Sequence, residues 1–543
     1  MSMNTKKLMA LAFALLLVVG TLVACQGGTP PVTAASKAPA ASAGAPAATT
    51  LTPITVSVDV MEAEKCGKNA KSDFVTKQFG ITFKYIPVDW GTWNEKIKTM
   101  VSANGAPDLT WWDLKGASSQ DFKTWVKGGA FRDIPVDKIS AQPEIKKLYD
   151  SMESIKSLTI DGKLYAWPAS RNNPPILQNT YASYWVYRRD WAKAVNLYKE
   201  GDVYTYEEWV ALCKKVITDD PGKNGAGNTA GLVMAPWAFP HAAVLFIGPV
   251  VAEGNETCSY IKGADGKYVW PPSLPAYKDN VLKTYNLYKD GVIWKDNVQF
   301  KAGEDTDLFK AGRAFAKYAG GANGFNDLCP ALLKAGLIKT AADVGPAIIT
   351  FDSKFYLTQT EDFWTVTAFS NKVDDAKLER VLSLWNYLNS KDGQLLQWLG
   401  FKDKDYTLNA DGTVKILWLK DAKTDLWINP YSEIRTGEFT MAGLTPPTNP
   451  ANPAYGALCD KQIQDYIAKS GLVIKPLDYK VSFFSAPNKD KFGTFGSDCK
   501  AKLTEFLQAS KTEAEMGANW DAWVTSMMPK VQPVLDEINN GVK

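Results

Sequence analysis

The chain has 543 residues, 45% hydrophobic and 22% charged, with 61 basic against 58 acidic side chains. This composition excludes a wholly disordered or fibrous chain, and at ~100–200 residues per domain the length predicts two or three domains. The near balance of charge leaves no electrostatic footprint for nucleic acid. The single histidine, His241, removes most zinc sites and histidine-based triads, whereas 19 Trp, 22 Tyr and 23 Phe make aromatic surface abundant.

Lys6 and Lys7 precede an apolar run from Leu8 to Val23, too short for a comfortable membrane span and shaped like a signal-peptide core. Leu22-Val23-Ala24-Cys25 resembles a bacterial lipobox, with Val23 a mild departure. That resemblance implies removal of residues 1–24 and a diacylglycerol on the Cys25 thiol; the alternative is ordinary secretion with a coincidental cysteine. Residues 25–52 are mostly Ala, Pro, Gly, Ser and Thr, with Lys37 the only charge. They bury too little apolar surface to order, and as a flexible coil they reach ~30 Å, the span of a tether. Six cysteines remain: Cys66, Cys213, Cys258, Cys329, Cys459 and Cys499. Outside the cytoplasm an even number permits disulfides, with pairing open, and buried free thiols are equally compatible.

From Ile54 the pattern becomes regular. Ile54, Val56, Val58 and Val60 alternate with polar residues as in a strand, and Ile81–Tyr85 reads as a second. Thr92 with Glu95 predicts a capping box before a helix whose Trp93, Ile97, Met100 and Val101 share a face. Pro107–Trp112 reads as a third strand. Strands separated by helices imply βαβ units and a mostly parallel sheet. The grammar returns with a strand at Tyr181–Tyr187, a capping box at Thr205 and Glu208, and a strand at Gly231–Ala235. Asp374 and Asp375 open an amphipathic helix carrying Leu378, Val381, Leu382, Trp385 and Leu388 on one face. The tail from Leu503 to Ile538 reads as helix, broken near Pro529 and Pro533.

Common hydrolase, metalloprotease and nucleotide-binding motifs are absent. Gly225–Ala230 fits a loose dinucleotide loop but follows a helix rather than a strand, which excludes it. Asp220–Asn228 places oxygen ligands at positions 1, 5 and 9 of a calcium-type loop with Gly at 6. Gly222 and Gly231 then stand where a third oxygen and a bidentate carboxylate belong, so no metal is assigned. A glycosidase pair among 58 carboxylates is not testable from spacing alone.

A resemblance joins these pieces. Gly105-Ala106-Pro107-Asp108-Leu109-Thr110-Trp111-Trp112-Asp113, after two strands and a helix, is similar to the first lobe of extracellular solute-binding proteins of the maltose-binding type, the capture components of ABC sugar importers. Gly129–Ile134, Asp161–Pro168, Trp185–Asp190, Thr205–Trp209, Phe309–Ala314 and Ser370–Lys372 resemble further motifs in that family's order. Together they cover nearly all of residues 54–400; residues 401–500 match poorly. Length, tryptophan content and the Asp220–Asn228 loop look most like the large Gram-positive lipoprotein members, in some of which this loop binds calcium.

The resemblance implies a two-lobed α/β fold of the periplasmic-binding-protein type II, with mostly parallel sheets, flanking helices and crossover hinges near Pro168, Gly345 and Gly443–Pro453. The first lobe would comprise 53–168 plus about 346–445, the second 169–345 plus about 450–543. It implies reversible capture without a catalytic residue or cofactor, of an oligosaccharide handed to permease subunits by a monomer anchored outside the cell through Cys25. Sugars pack their C–H faces on indoles and need partners for their hydroxyls, so Trp beside Asp suits them. The expected ligand-binding residues are Trp112 and Asp113, with Trp111 buried, and Glu64, Trp90, Arg171, Trp237, His241 and Asn323 on equivalent loops. Trp167, Trp209 and Trp385 are assigned to the core. The alternatives are a lipid-anchored glycoside hydrolase or lyase, or the same fold binding a peptide or a uronate; a lysine or Arg171 at the cleft would favour the uronate.

Overall fold

A computed structural model describes residues 51–543 except 115–116, 157, 172–183, 246–259, 264, 320–321, 359–362, 421–426, 428–429, 432–454, 472, 476–480, 482–483 and 543. The signal segment, Cys25 and nearly all of the tether lie outside the described residues. The chain divides into Met1–Gly44 and Ala45–Lys543, and every element below belongs to the second unit.

Eleven of the strands build two sheets: β1 (Ile54–Met61), β2 (Ile81–Val88), β3 (Leu109–Trp112), β4 (Phe131–Arg132), β5 (Trp167–Arg171), β6 (Tyr184–Arg188), β7 (Val203–Thr205), β8 (Ala230–Val233), β9 (Ala314–Ala319), β10 (Val344–Thr350) and β11 (Phe363–Ser370). The first sheet runs β2-β1-β3-β11-β4, with β5 also on β11; the second runs β8-β9-β6-β10-β7. Both are mostly parallel as expected, each with one strand running against the rest. β1 pairs in parallel with β2 and β3, but β11 is antiparallel to β3, β4 and β5. In the second sheet β6 is the antiparallel member, between β9 and β10. Each sheet has its own apolar core. Val56, Val58, Trp112, Trp167 and Trp385 lie in the first; Trp185, Trp209, Trp270 and Trp520 lie in the second.

The helices used below are α1 (Trp93–Ser102), α2 (Ala117–Lys127), α3 (Tyr206–Asp219), α4 (Ala322–Lys334), α5 (Asp375–Asn389), α6 (Tyr455–Ser470), α7 (Pro487–Phe492), α8 (Gly496–Ala509) and α9 (Glu513–Gly541). The Thr205–Glu208 capping box is formed, and Asp374 caps α5 through Lys377 N–H. The Thr92–Glu95 box is not. Asp89 accepts instead, from the Gly91 and Thr92 N–H groups at 3.0 Å each and from the Thr92 hydroxyl. Asp89, one turn earlier, thus takes the Thr92 N–H that the Glu95 side chain would accept in a capping box. Pro529 and Pro533 do not break the tail: α9 runs through both, and the interruption falls at 510–512. The α9 core face is Trp520, Trp523, Met527, Val531 and Val534, while Pro529 is exposed, so water can satisfy the carbonyl freed there.

Strand pairing moves the predicted crossings. β5 extends to Arg171 in the first sheet and β6 belongs to the second, so the chain is still in the first sheet beyond Pro168. β10 stays in the second sheet to Thr350, so the return falls between Thr350 and Phe363 rather than near Gly345. The third expected crossing lies outside the described residues. α6 is held to the second sheet by Gln462, which bonds Asp202 and Arg189, themselves a buried ion pair to which the Tyr187 hydroxyl also donates. One bridge joins the first-lobe helix α2 to α7: Lys123 Nζ donates to Asp490 at 2.9 Å and to Ser485 Oγ at 3.0 Å. Cys66, Cys213, Cys329, Cys459 and Cys499 are buried and form no disulfide with one another; Cys258 lies outside the described residues.

Candidate functional site

Parallel strands bring their carboxyl ends, and the loops that follow, to one edge of a sheet, and open α/β sheets bind ligands there. At that edge of the first sheet, β1 leads into Glu62 and Glu64, β2 into Asp89 and Trp90, and β3 into Asp113. Glu64 is exposed and Asp113 half-buried. Trp90 leaves 57% of its surface exposed. It stands edge-on to Trp93 at 6.2 Å and to Trp111 at 5.9 Å, and Trp93 and Trp111 lie 4.6 Å apart. Trp111 Nε1 donates to Thr365 Oγ1 on β11, which fixes the ring.

Trp111 is buried as expected, but Trp112, expected to face the ligand, is buried more deeply still. Trp112 is 0% exposed, packed at 4.8 Å against Trp125 of α2, whereas Trp111 is 7% exposed and meets the solvent-facing Trp90. Alternation does separate the two rings, but helix α2 covers the face that Trp112 takes.

Asp59 lies beneath this cluster and was read from the sequence as a polar face of β1. Both faces of a parallel sheet are covered, and the carboxyl is fully buried. Its Oδ1 accepts from Trp111 N–H at 2.9 Å, and its Oδ2 is buried with no hydrogen bond among the described residues. Burial raises its pKa to about 7, against the lowering effect of Trp111 N–H and, more weakly, of the Trp93 side chain.

At the second sheet, the loop after β8 carries Trp237, 42% exposed, with its ring 5.9 Å from Tyr318 at the end of β9. Asn297 holds the root of this loop, accepting from Met234 N–H at 2.9 Å and donating to its carbonyl at 2.7 Å. His241, expected to face a ligand, is instead buried within the loop. Burial first, then the charge of Lys500, push its pKa down to about 3, so it is neutral at pH 7. Lys500, on α8, donates to the Pro236 carbonyl and to the Trp237 carbonyl at 3.3 Å. Burial alone lowers its pKa to about 8.

The remaining expectations divide. Arg171 is the last residue of β5, paired with Phe363, and Asn323 lies in the first turn of α4; their side chains lie outside the described residues. Trp167, Trp209 and Trp385 lie in the cores. In the Asp220–Asn228 loop, the Asp220 carboxylate accepts from Asn224 N–H at 3.1 Å, Gly225 N–H at 2.8 Å and the Thr229 hydroxyl at 2.5 Å. A Cβ at Gly222 would stand 2.5 Å from the Trp191 ring. Packing against Trp191 therefore accounts for the missing third oxygen, and protein donors occupy the carboxylate. Asp59, Trp111, Tyr318 and Lys500 are the site-edge residues not anticipated from sequence. Asp59 had a signal, an acid inside a strand flanked by two others; Lys500 had none, being 263 residues from Trp237 along the chain.

The architecture is that of two-lobed periplasmic-binding proteins. The sequence profile of the bacterial extracellular solute-binding proteins matches residues 70–403, and the chain belongs to that family. It is similar to an alginate-binding protein, AlgQ2, solved without calcium (TM-score 0.63, 14% identity, 91% of this chain and 98% of that one). It is also similar to the Streptococcus pneumoniae ABC-transporter substrate-binding protein FusA in complex with kestose (0.62, 15%, 89% and 97%). A third similar structure is the N-glycan transport solute-binding protein NgtS of the same organism with Man1GlcNAc (0.53, 16%, 90% and 98%). No curated protein matches the sequence. No helix among the described residues is long and apolar enough to cross a membrane.

Proposed function

We propose that the chain is an oligosaccharide-binding lipoprotein that delivers its ligand unaltered to the permease subunits of an ABC transporter. The observation that carries this reading is the pairing of indoles with hydrogen-bonding groups at the ends of both sheets: Trp90 and Trp111 with the half-buried Asp113 in one, Trp237 beside Lys500 in the other. Flat rings take the C–H face of a sugar, and fixed polar groups repay the desolvation of its hydroxyls. The sugars named for the similar structures, alginate, kestose and Man1GlcNAc, support the same class. A ligand touching both lobes stabilises the closed form by its differential affinity, and no covalent step is required. Lipidation at Cys25 would hold the body at the outer face of the membrane, with residues 26–52 as its tether.

The test is a thermal-shift screen of the purified chain over neutral and acidic oligosaccharides, with each hit then analysed for cleavage products. A rise in melting temperature with intact sugar recovered is the expected result. Shortened or unsaturated products would turn the assignment to a glycoside hydrolase or lyase.

A further inference from the structure

The amine of Lys500 carries a positive charge that no ion pair among the described residues answers. It is half-buried on α8 and spends two hydrogen bonds on the carbonyls of Pro236 and Trp237. No carboxylate among the described residues pairs with it. Two other partly covered lysines behave differently: Lys317 has Asp305 at 2.7 Å, and Lys123 has Asp490 at 2.9 Å. An unpaired cation removed from water is costly unless an anion arrives to meet it. The neutral His241 beneath the loop neither shares nor cancels the charge. The cation is tied to the backbone of the residue that presents the exposed indole, so ring and charge stand at the same loop tip. The first lobe differs, the loops after its strands being acidic with Glu64 and Asp113.

We infer that the ligand is an acidic saccharide, with a sugar ring on Trp237, its carboxylate paired with Lys500, and its hydroxyls turned to the carboxylates of the first lobe. This rests on the oligosaccharide reading above and narrows it from sugars in general to those bearing a carboxylate. A methyl ester of the same sugar keeps the ring and the hydroxyls but loses the charge, so it should lose the contact.

Calorimetry on the full chain tests this with matched pairs: trimers of galacturonate, mannuronate and guluronate against their methyl esters, and sialyllactose against lactose. At least one acid should bind ten-fold or more tightly than its neutral partner, and that preference should shrink between 50 and 500 mM NaCl. Lys500→Met should bring the ratio of the two affinities close to one, whereas Lys500→Arg should keep most of it; melting curves check that both variants fold. Neutral members binding as well as or better than acids, or a preference that survives Lys500→Met in a folded protein, would overturn the inference and leave the saccharide reading standing. If no acid, ester or neutral oligosaccharide binds, both fall together.

Discussion

The two strand-end clusters use the same ring chemistry for opposite polar purposes. In the first lobe, indoles surround a buried acid with an acceptor oxygen unused among the described residues; in the second, an indole shares its loop with a neutral histidine, and the α8 cation bonded to that loop has no anion among the described residues. Both polar groups are displaced from their ordinary pKa by the same force, burial, because each lobe covers its sheet on both faces. The contrast gives the molecule a polarity, with acceptors on one side and donors on the other, which two equivalent halves would lack.

The largest expected effect separates the two neighbouring tryptophans. Trp112→Ala should cost about 3–5 kcal/mol of stability, the range for emptying a buried aromatic site, and should be read by denaturant unfolding. A melting curve like that of the wild type would put Trp112 back at the surface. Next come the two titrations, which have opposite signs. Folded Asp59 holds its proton to about pH 7, whereas unfolded it releases it near the ordinary value of 3.8. The folded state therefore binds more protons between these values, so this contribution is complete below about pH 4 and is lost as pH rises through 7. Asp59→Asn should raise melting at pH 8 by the equivalent of at most ~4 kcal/mol and change little near pH 4.

His241 runs the other way. Folded, it stays neutral down to about pH 3, whereas unfolded it takes a proton near 6.5, so its stability is complete above 6.5 and drains as pH falls toward 3. It is the only histidine in the chain, so its proton resonance can be followed without assignment. No titration should be visible from pH 8 to 4.5, and a midpoint near 6.5 would contradict its burial. Smaller again are the exposed rings. Trp90→Ala and Trp237→Ala should each weaken saccharide binding about ten-fold, ~1.4 kcal/mol, with melting nearly unchanged. Equal affinity would remove that ring from the site. The smallest effect is at the bridge between α2 and α7: Lys123→Ala should cost no more than ~1 kcal/mol, because the pair is partly exposed, and should leave the acid-to-neutral binding ratio unmoved.

Much of the fold was legible because its signals are local. The alternation in β1, the Thr205–Glu208 box and the Asp374 cap each depend on residues within one or two turns, and each formed as read. The errors arose where a distant element decided. Helix α2 buried Trp112, and Asp89 took the Thr92 N–H meant for Glu95. Strand pairing, which no local pattern encodes, carries β5 past Pro168 and β10 past Gly345. Half of the site was legible for the same reason: exposed Trp90 and Trp237 sit on loops that follow readable strands. Asp59 was misread because one sequence does not show that both faces of its sheet are covered. Lys500 was missed because its partners are more than two hundred residues upstream.

The position of β11 has a consequence for how the molecule comes into being. This strand lies inside the first sheet, against β3, β4 and β5, yet it follows almost the whole second sheet along the chain. A polypeptide emerging amino end first must keep the edge of β3 unpaired until residue 370 is available. The second lobe waits longer still, for Trp520 and Trp523 near the carboxyl end. Neither half can close until its late strand or helix has been made.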